Sequence, residues 1–272
     1  MATLVAFHAH PDDESIAMGG VMAKASDEGH RVVLVVATRG EHGEVAEGFL
    51  EPDEELWQRR VEETKACAAI LGVARVEFLG YVDSGMMGTP ENDLPGSFWQ
   101  ADIEEAASRL AAILVEENAD ILTAYDEKGN YGHPDHIQVY RVGVRAAELA
   151  GTPTVFMATI NRDHMFEMIR QAKEMGVDVP QEIQDFDPDS FGVPAAAITT
   201  AVDVSDEIPA KLASMRAHAS QIPETDFLLT MPEEAFSASF GTEWFIRLDA
   251  DHGGPPFETT LFDGDQAGHP PQ

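Results

Sequence analysis

The chain is poor in cations and in cysteine. Only 17 of its 272 residues are Lys or Arg, against 49 Asp or Glu, which gives a formal net charge of −32. A surface of that sign repels phosphate backbones and anionic headgroups, so nucleic acid and membranes are not expected partners. The single cysteine, Cys67, excludes an internal disulfide framework. Inside a helical run over 59–71 it reads as a small buried hydrophobe. Nothing before the first strand-like run, at Leu4, has the pattern of a signal peptide, and no apolar stretch reaches the ~18 residues of a membrane helix. The expected address is therefore the cytoplasm. An internal repeat and a linker long enough to force a second domain are also missing. So is a glycine-rich cradle after the first strand, which weakens a nucleotide-binding reading.

What is present alternates strand-like and helix-like runs. Short apolar runs at 4–7, 31–38, 75–79, 119–125 and 154–160 read as strands. The second, with Val32-Val33-Leu34-Val35-Val36, is the continuous β-branched kind found in parallel strands covered on both faces. Helices are predicted over 14–28, 53–71, 99–117 and 134–149. This βαβα order predicts an α/β fold: a Rossmann-like, mostly parallel sheet with helices on both faces and an elaborated C-terminal part. In that C-terminal part a helix is predicted over 161–175, a loop over 180–194, a strand over 195–202, a helix over 208–220 and a last strand over 243–248. One domain over 1–272 is expected, with a core at 1–160, an elaboration at 161–263 and a flexible tail at 264–272.

Ligands of such sheets bind beyond the carboxyl ends of the strands. The loops there are the most polar and histidine-rich of the chain, and they carry two related segments, His10-Pro11-Asp12-Asp13-Glu14 and His133-Pro134-Asp135-His136. In both, proline is expected at the first helical position. Catalytic zinc takes three nitrogen or oxygen ligands and keeps one position open. His10, Asp13 and His136 supply such a set. Asp12 then remains free as a general base toward an activated water, and His133, three residues before His136, can polarise a carbonyl or protonate a leaving amine. A metal-binding protein without catalysis would instead close its site with a fourth ligand.

These segments resemble the LmbE-like, or PIG-L, family of zinc deacetylases. The resemblance extends to Gly40-Glu41-His42-Gly43-Glu44, Arg60 with Glu63, Leu79-Gly80, Asp83-Ser84-Gly85-Met86, 125–130, 216–221 and 256–262, which is nearly the whole chain. It is strongest to the branch holding the mycothiol-pathway deacetylase and the mycothiol S-conjugate amidase. The resemblance implies one Zn2+ per chain on His10, Asp13 and His136, with Asp12 as general base and His133 as oxyanion and acid residue. It implies that Asp135 orients the His133 ring, that Tyr131 helps polarise the carbonyl, and that Glu44, Arg60 and Asp83 line a sugar pocket. The implied partner is a small N-acylated amino sugar or conjugate, and a homo-oligomer is compatible with it. Two departures argue against a mycothiol-sized substrate: Ala17 stands where the amidase has a lysine, and the chain is shortened around Asn92 and over 180–193. Of the other histidines, His42 is a candidate substrate contact and His218 a candidate distal pocket residue.

Overall fold

The computed structural model describes residues 1–174, 191–251 and 253–262. The chain runs β1 (Thr3–His8), α1 (Asp13–Asp27), β2 (Arg31–Thr38), α2 (Leu56–Ile70), β3 (Arg75–Tyr81), α3 (Ile103–Glu116), β4 (Ile121–Tyr125), a short α4 (Gly129–Gly132), α5 (Pro134–Ala150) and β5 (Thr154–Thr159). There follow α6 (Arg162–Glu174), β6 (Thr200–Asp203), α7 (Ile208–Ala217), a short α8 (Phe227–Thr230), α9 (Glu233–Phe240) and β7 (Thr242–Arg247). The expected tail over 264–272 and most of the expected 180–194 loop lie outside the described residues.

Seven strands form one sheet in the order β3-β2-β1-β4-β5-β7-β6. The first five are mutually parallel, with Leu4 level with Val32 on one side and Ile121 on the other. β7 pairs antiparallel with both β5 and β6. The fold class is as the sequence predicts. Strand β2 is buried over all but its first residue, and β4 over its full length, because both faces are covered. Leu4, Phe7, Leu34, Phe98, Leu110 and Tyr125 are among the fully buried core side chains, each worth about 1.5–3 kcal/mol of hydrophobic stabilisation for the aliphatic and Phe members. From β1 the chain progresses outward to β2 and β3, then returns to the other side of β1 for β4 and β5. The order therefore reverses between β1 and β4, and a crevice opens at their carboxyl ends.

The C-terminal part differs from expectation in detail. Residues 195–197 form a 3-10 turn rather than the start of a strand, and β6 begins at Thr200. The helix predicted to reach 220 stops at Ala217. Helix α9 was not predicted; Phe236 on it is buried with Ile208, Met215, Ile222 and Leu229 in a second, smaller apolar cluster.

Candidate active site and metal centre

Past His8 the chain turns sharply into α1, and Asp12 makes the corner. Its φ of 94° is unusual for a residue with a side chain, although Asp tolerates positive φ better than most. Three contacts hold it. Its N–H donates to Glu14 Oε2 at 2.9 Å, its carbonyl accepts from the Ser15 hydroxyl at 2.7 Å, and its Oδ2 accepts from Arg60 Nη2 at 3.1 Å. Asp12 is thus the residue capping α1, and Pro11 lies one position before it rather than at the first helical position. The second segment behaves as predicted: Pro134 opens α5, and His133 caps it by accepting the Asp135 N–H on Nδ1 at 3.1 Å.

These two corners face each other across the crevice. Asp13 Oδ2 stands 3.4 Å from His10 Nδ1 and 3.4 Å from His136 Nε2. Donors around a tetrahedral ion with bonds of about 2.0–2.1 Å are spaced by about 3.3–3.4 Å, so Asp13 stands from each histidine at the spacing of two donors sharing one ion. Ring nitrogens of His10, His133 and His136 also lie within 4.8 Å of one another. The charges are arranged to match. Burial alone would raise the Asp13 carboxyl, but His136 and His10 hold it well below the usual carboxylate range. Burial opposes a charge on His10, yet Asp83, Asp13 and Asp135 push its pKa well up. The cluster can hold a metal ion.

Around it the remaining candidates separate. Burial pushes Asp12 up to about 6 despite Arg60 beside it. His133 is pushed down to about 4, by burial first and by His10 and His136 next. Because His133 Nδ1 accepts a backbone N–H, the neutral ring carries its proton on Nε2. Tyr131 is 40% exposed with its hydroxyl 3.3 Å from His136 Nε2, and burial of that hydroxyl keeps it protonated by pushing its pKa up.

Asp135 departs from expectation. Its carboxylate is not on the His133 ring. Oδ2 lies 3.1 Å from His10 Nε2 and accepts the Ser84 N–H at 2.9 Å, while Oδ1 accepts the Ser84 hydroxyl. Two residues along a helix turn the side chain away from His133 toward the loop after β3; only the Asp135 backbone reaches that ring.

Asp83 is buried, 3.5 Å from His10 Nε2, and accepts the His42 N–H at 3.3 Å. Arg60 is only 3% exposed; it donates to the Gly40 carbonyl at 2.9 Å and to the Pro11 carbonyl. Gly40 has φ +70°, which favours glycine, and a Cβ there would fall 2.1 Å from the Arg60 guanidinium and displace it. Glu44 is exposed, and its carbonyl accepts from Gln221 at 3.1 Å. His42 is exposed as well.

Three supporting residues had no assigned role. Glu14 is fully buried and bonds His218 Nε2 at 2.7 Å; burial would raise its carboxyl, but His218 holds it below its ordinary value. His218 is thus beneath Asp12 rather than at a pocket wall. His8 Nδ1 lies 2.7 Å from the Tyr125 hydroxyl, and the Tyr125 ring stacks on His136 with centroids 4.5 Å apart. Ser84 holds Asp135. The available signals were an acidic residue two places after Asp12 and the period-two pair His8 and His10.

The switch-point crevice of this mostly parallel sheet gathers three histidines and four aspartates, the donor set of a possible metal centre. The family model described as GlcNAc-PI de-N-acetylase, PIG-L, matches residues 5–147. The chain is 39% identical over 282 aligned residues to 1D-myo-inositol 2-acetamido-2-deoxy-alpha-D-glucopyranoside deacetylase of Thermomonospora curvata, covering 90% of each chain. It is 38% identical to the protein of the same name from Acidothermus cellulolyticus, over 96% of this chain and 94% of that one. Among solved structures it resembles N,N'-diacetylchitobiose deacetylase from Pyrococcus horikoshii, with a TM-score of 0.59, 23% identity, and 90% and 83% of the two chains covered, a likeness of fold. The chain belongs to the PIG-L family and is, like its relatives, a deacetylase, an enzyme that hydrolyses an amide bond.

Proposed function

We propose that this deacetylase removes the acetyl group from the 2-amino group of an N-acetylglucosaminyl conjugate, of the kind named for its relatives, with one zinc ion on His10, Asp13 and His136. The observation that carries the reading is Asp13 at 3.4 Å from both histidines, with the carboxylate of Asp12, held by Arg60, next in sequence. When bound, such an ion brings a water toward a pKa of ~7 and polarises the acyl carbonyl.

The chain's own groups supply the rest. Asp12, pushed up to about 6 by burial, is poised to take the proton of the attacking water near neutral pH and to return it to the departing amine. The Nε2–H of neutral His133 donates to the carbonyl oxygen as negative charge develops on it. The Tyr131 hydroxyl, 3.3 Å from His136 Nε2, is a second donor at the site. This geometry suits His133 better as a neutral donor than as the acid. Arg60 and Glu14 fix Asp12 from below, so Arg60 acts on the base, while Asp83, His42 and Glu44 are the groups suited to sugar hydroxyls and the freed amine. The partner is a small molecule.

The test is release of free amine from N-acetylglucosaminyl inositol, run beside a peptide and a phosphoester, with zinc content measured for the protein and for His136→Ala. Amine release that a chelator abolishes, and a variant that no longer retains zinc, are expected. Cleavage of only the peptide or phosphoester would overturn the reading.

A further inference from the structure

The crevice between β1 and β4 has two unlike flanks. The loops after β2 and β3 bring the polar groups His42, Glu44 and Asp83, with the exposed Met86 and Met87 in the same loops. The other flank, beyond β5 and β7, opens into a cavity of about 570 Å³. Asp12, Asp13, Tyr131 and His136 form one wall of it. Much of the remaining lining is apolar, with Met165, Met168, Leu228, Met231, Phe240 and Trp244 beside the polar His164, Lys211 and Glu243; those six apolar residues are half-buried. Glu44, Arg60 and Asp83 take no part in the lining.

An acetyl group has one methyl to place, whereas pockets of about 300–1,000 Å³ accommodate drug-sized ligands. The scissile amide must sit at the catalytic wall. Its amine half, a sugar, pairs with the hydroxyl-binding flank, because the apolar wall would strip a sugar's hydroxyls of partners. The acyl half then points the other way, into the cavity. From this geometry, and resting on the proposed amide hydrolysis, we infer that the cavity is an acyl-chain subsite and that the enzyme accepts N-acyl amino sugars with linear aliphatic chains well beyond acetyl. The bond broken is the same C–N bond: water gives its hydroxyl to the acyl carbon and a proton to nitrogen, releasing a free fatty acid and the amine. The flexible thioethers of Met165, Met168 and Met231 suit a chain of variable length.

The experiment is a series of N-acylglucosamines from acetyl to octanoyl, scored by free amine as kcat/KM. Each methylene that enters the cavity is worth up to about fourfold, so the hexanoyl compound should exceed the acetyl one by about tenfold or more. Octyl N-acetylglucosaminide, which carries its alkyl chain on the amine half, should gain nothing. In Met168→Trp and Leu228→Trp, which fill the cavity, the ratio of hexanoyl to acetyl rate should fall toward unity. That ratio is internal to each preparation and does not depend on the fraction folded. Acetyl turnover with a flat or falling series, an unchanged ratio in both filled variants, or a gain confined to the alkyl glycoside would overturn the subsite and leave the deacetylase reading standing. Failure on every N-acyl sugar, acetyl included, would instead sink the reading on which it rests.

Discussion

Replacing Asp135 by Asn separates two readings of that residue. If its carboxylate served His133, the variant would bind metal normally and turn over slowly. The structure puts the carboxylate on His10 Nε2 at 3.1 Å instead, while His10 Nδ1 faces Asp13. Nε2 therefore carries the proton, Nδ1 is left basic, and the ring is aimed at the metal position. A hydrogen bond to an ionised partner is worth about 1.5–3 kcal/mol. Asn keeps an oxygen of the same shape but not the charge, and Ser84 still has an acceptor. The loss should fall in the lower half of that range, or about 10- to 50-fold in metal affinity, within the 10- to 100-fold span usual for residues that orient metal ligands. Competition with a chromophoric chelator measures the dissociation constant directly. With metal in excess, most of the turnover should return. Unchanged metal affinity together with a lasting loss of kcat would refute this assignment and restore the His133 partnership.

Asp12→Asn should lose nearly all turnover, yet melt higher than wild type at about pH 7 in metal-free protein. Burial raises the Asp12 carboxyl from 3.8 to about 6, so its contribution favours folding below the lower value and is lost as pH rises through the upper one. At 1.36 kcal/mol per unit the ionised form costs up to about 3 kcal/mol; the gap between the two proteins should close below about pH 4, and a variant that melts lower at neutral pH would contradict this. Cys67, fully buried and with its thiol pushed up by burial and by Glu14, should resist alkylation until the protein unfolds; rapid native labelling would show that the core opens. With a net charge of −32, the melting temperature should rise with potassium chloride as the screening length shrinks from about 10 Å at 0.1 M to about 3 Å at 1 M, and a flat response would mean that the charges are well paired.

The parallel half of the sheet was legible because strands covered on both faces must be apolar throughout, and the runs at β1, β2, β4 and β5 are. Helix ends came within a few residues for the same reason: Gly72 and Gly151 follow α2 and α5 at positive φ. The C-terminal part was less readable. Nothing local tells β7 to enter between β5 and β6, because edge order depends on which surface remains uncovered after the core has formed. Helix α9 has only one buried residue and so hardly any periodic signal. In the site, His10, Asp13 and His136 could be associated from sequence because strand ends converge. The direction of Asp135 and the burial of Arg60 could not, since both depend on partners in distant loops, Ser84 in one case and Gly40 in the other.

The arrangement at Asp12 shows what the fold spends on the proposed base. A carboxylate next to Asp13, half-buried, and on a backbone with φ of 94° is unfavourable on three counts: like charge, desolvation and torsion. Three groups offset them. Arg60 supplies an opposite charge at 3.1 Å, Glu14 accepts the N–H that the corner would otherwise strand, and His218 neutralises Glu14 in turn at 2.7 Å. Arg60 reaches there only because residue 40 is glycine, and His218 only because α7 from the C-terminal part packs under α1. The C-terminal elaboration therefore does two jobs at once: its α7 end braces the base from beneath, and its α8, α9 and β7 segments wall the cavity that Asp12 faces. A deletion of that part would be expected to remove the chemistry along with the subsite, even though the proposed ligands His10, Asp13 and His136 all lie before residue 137.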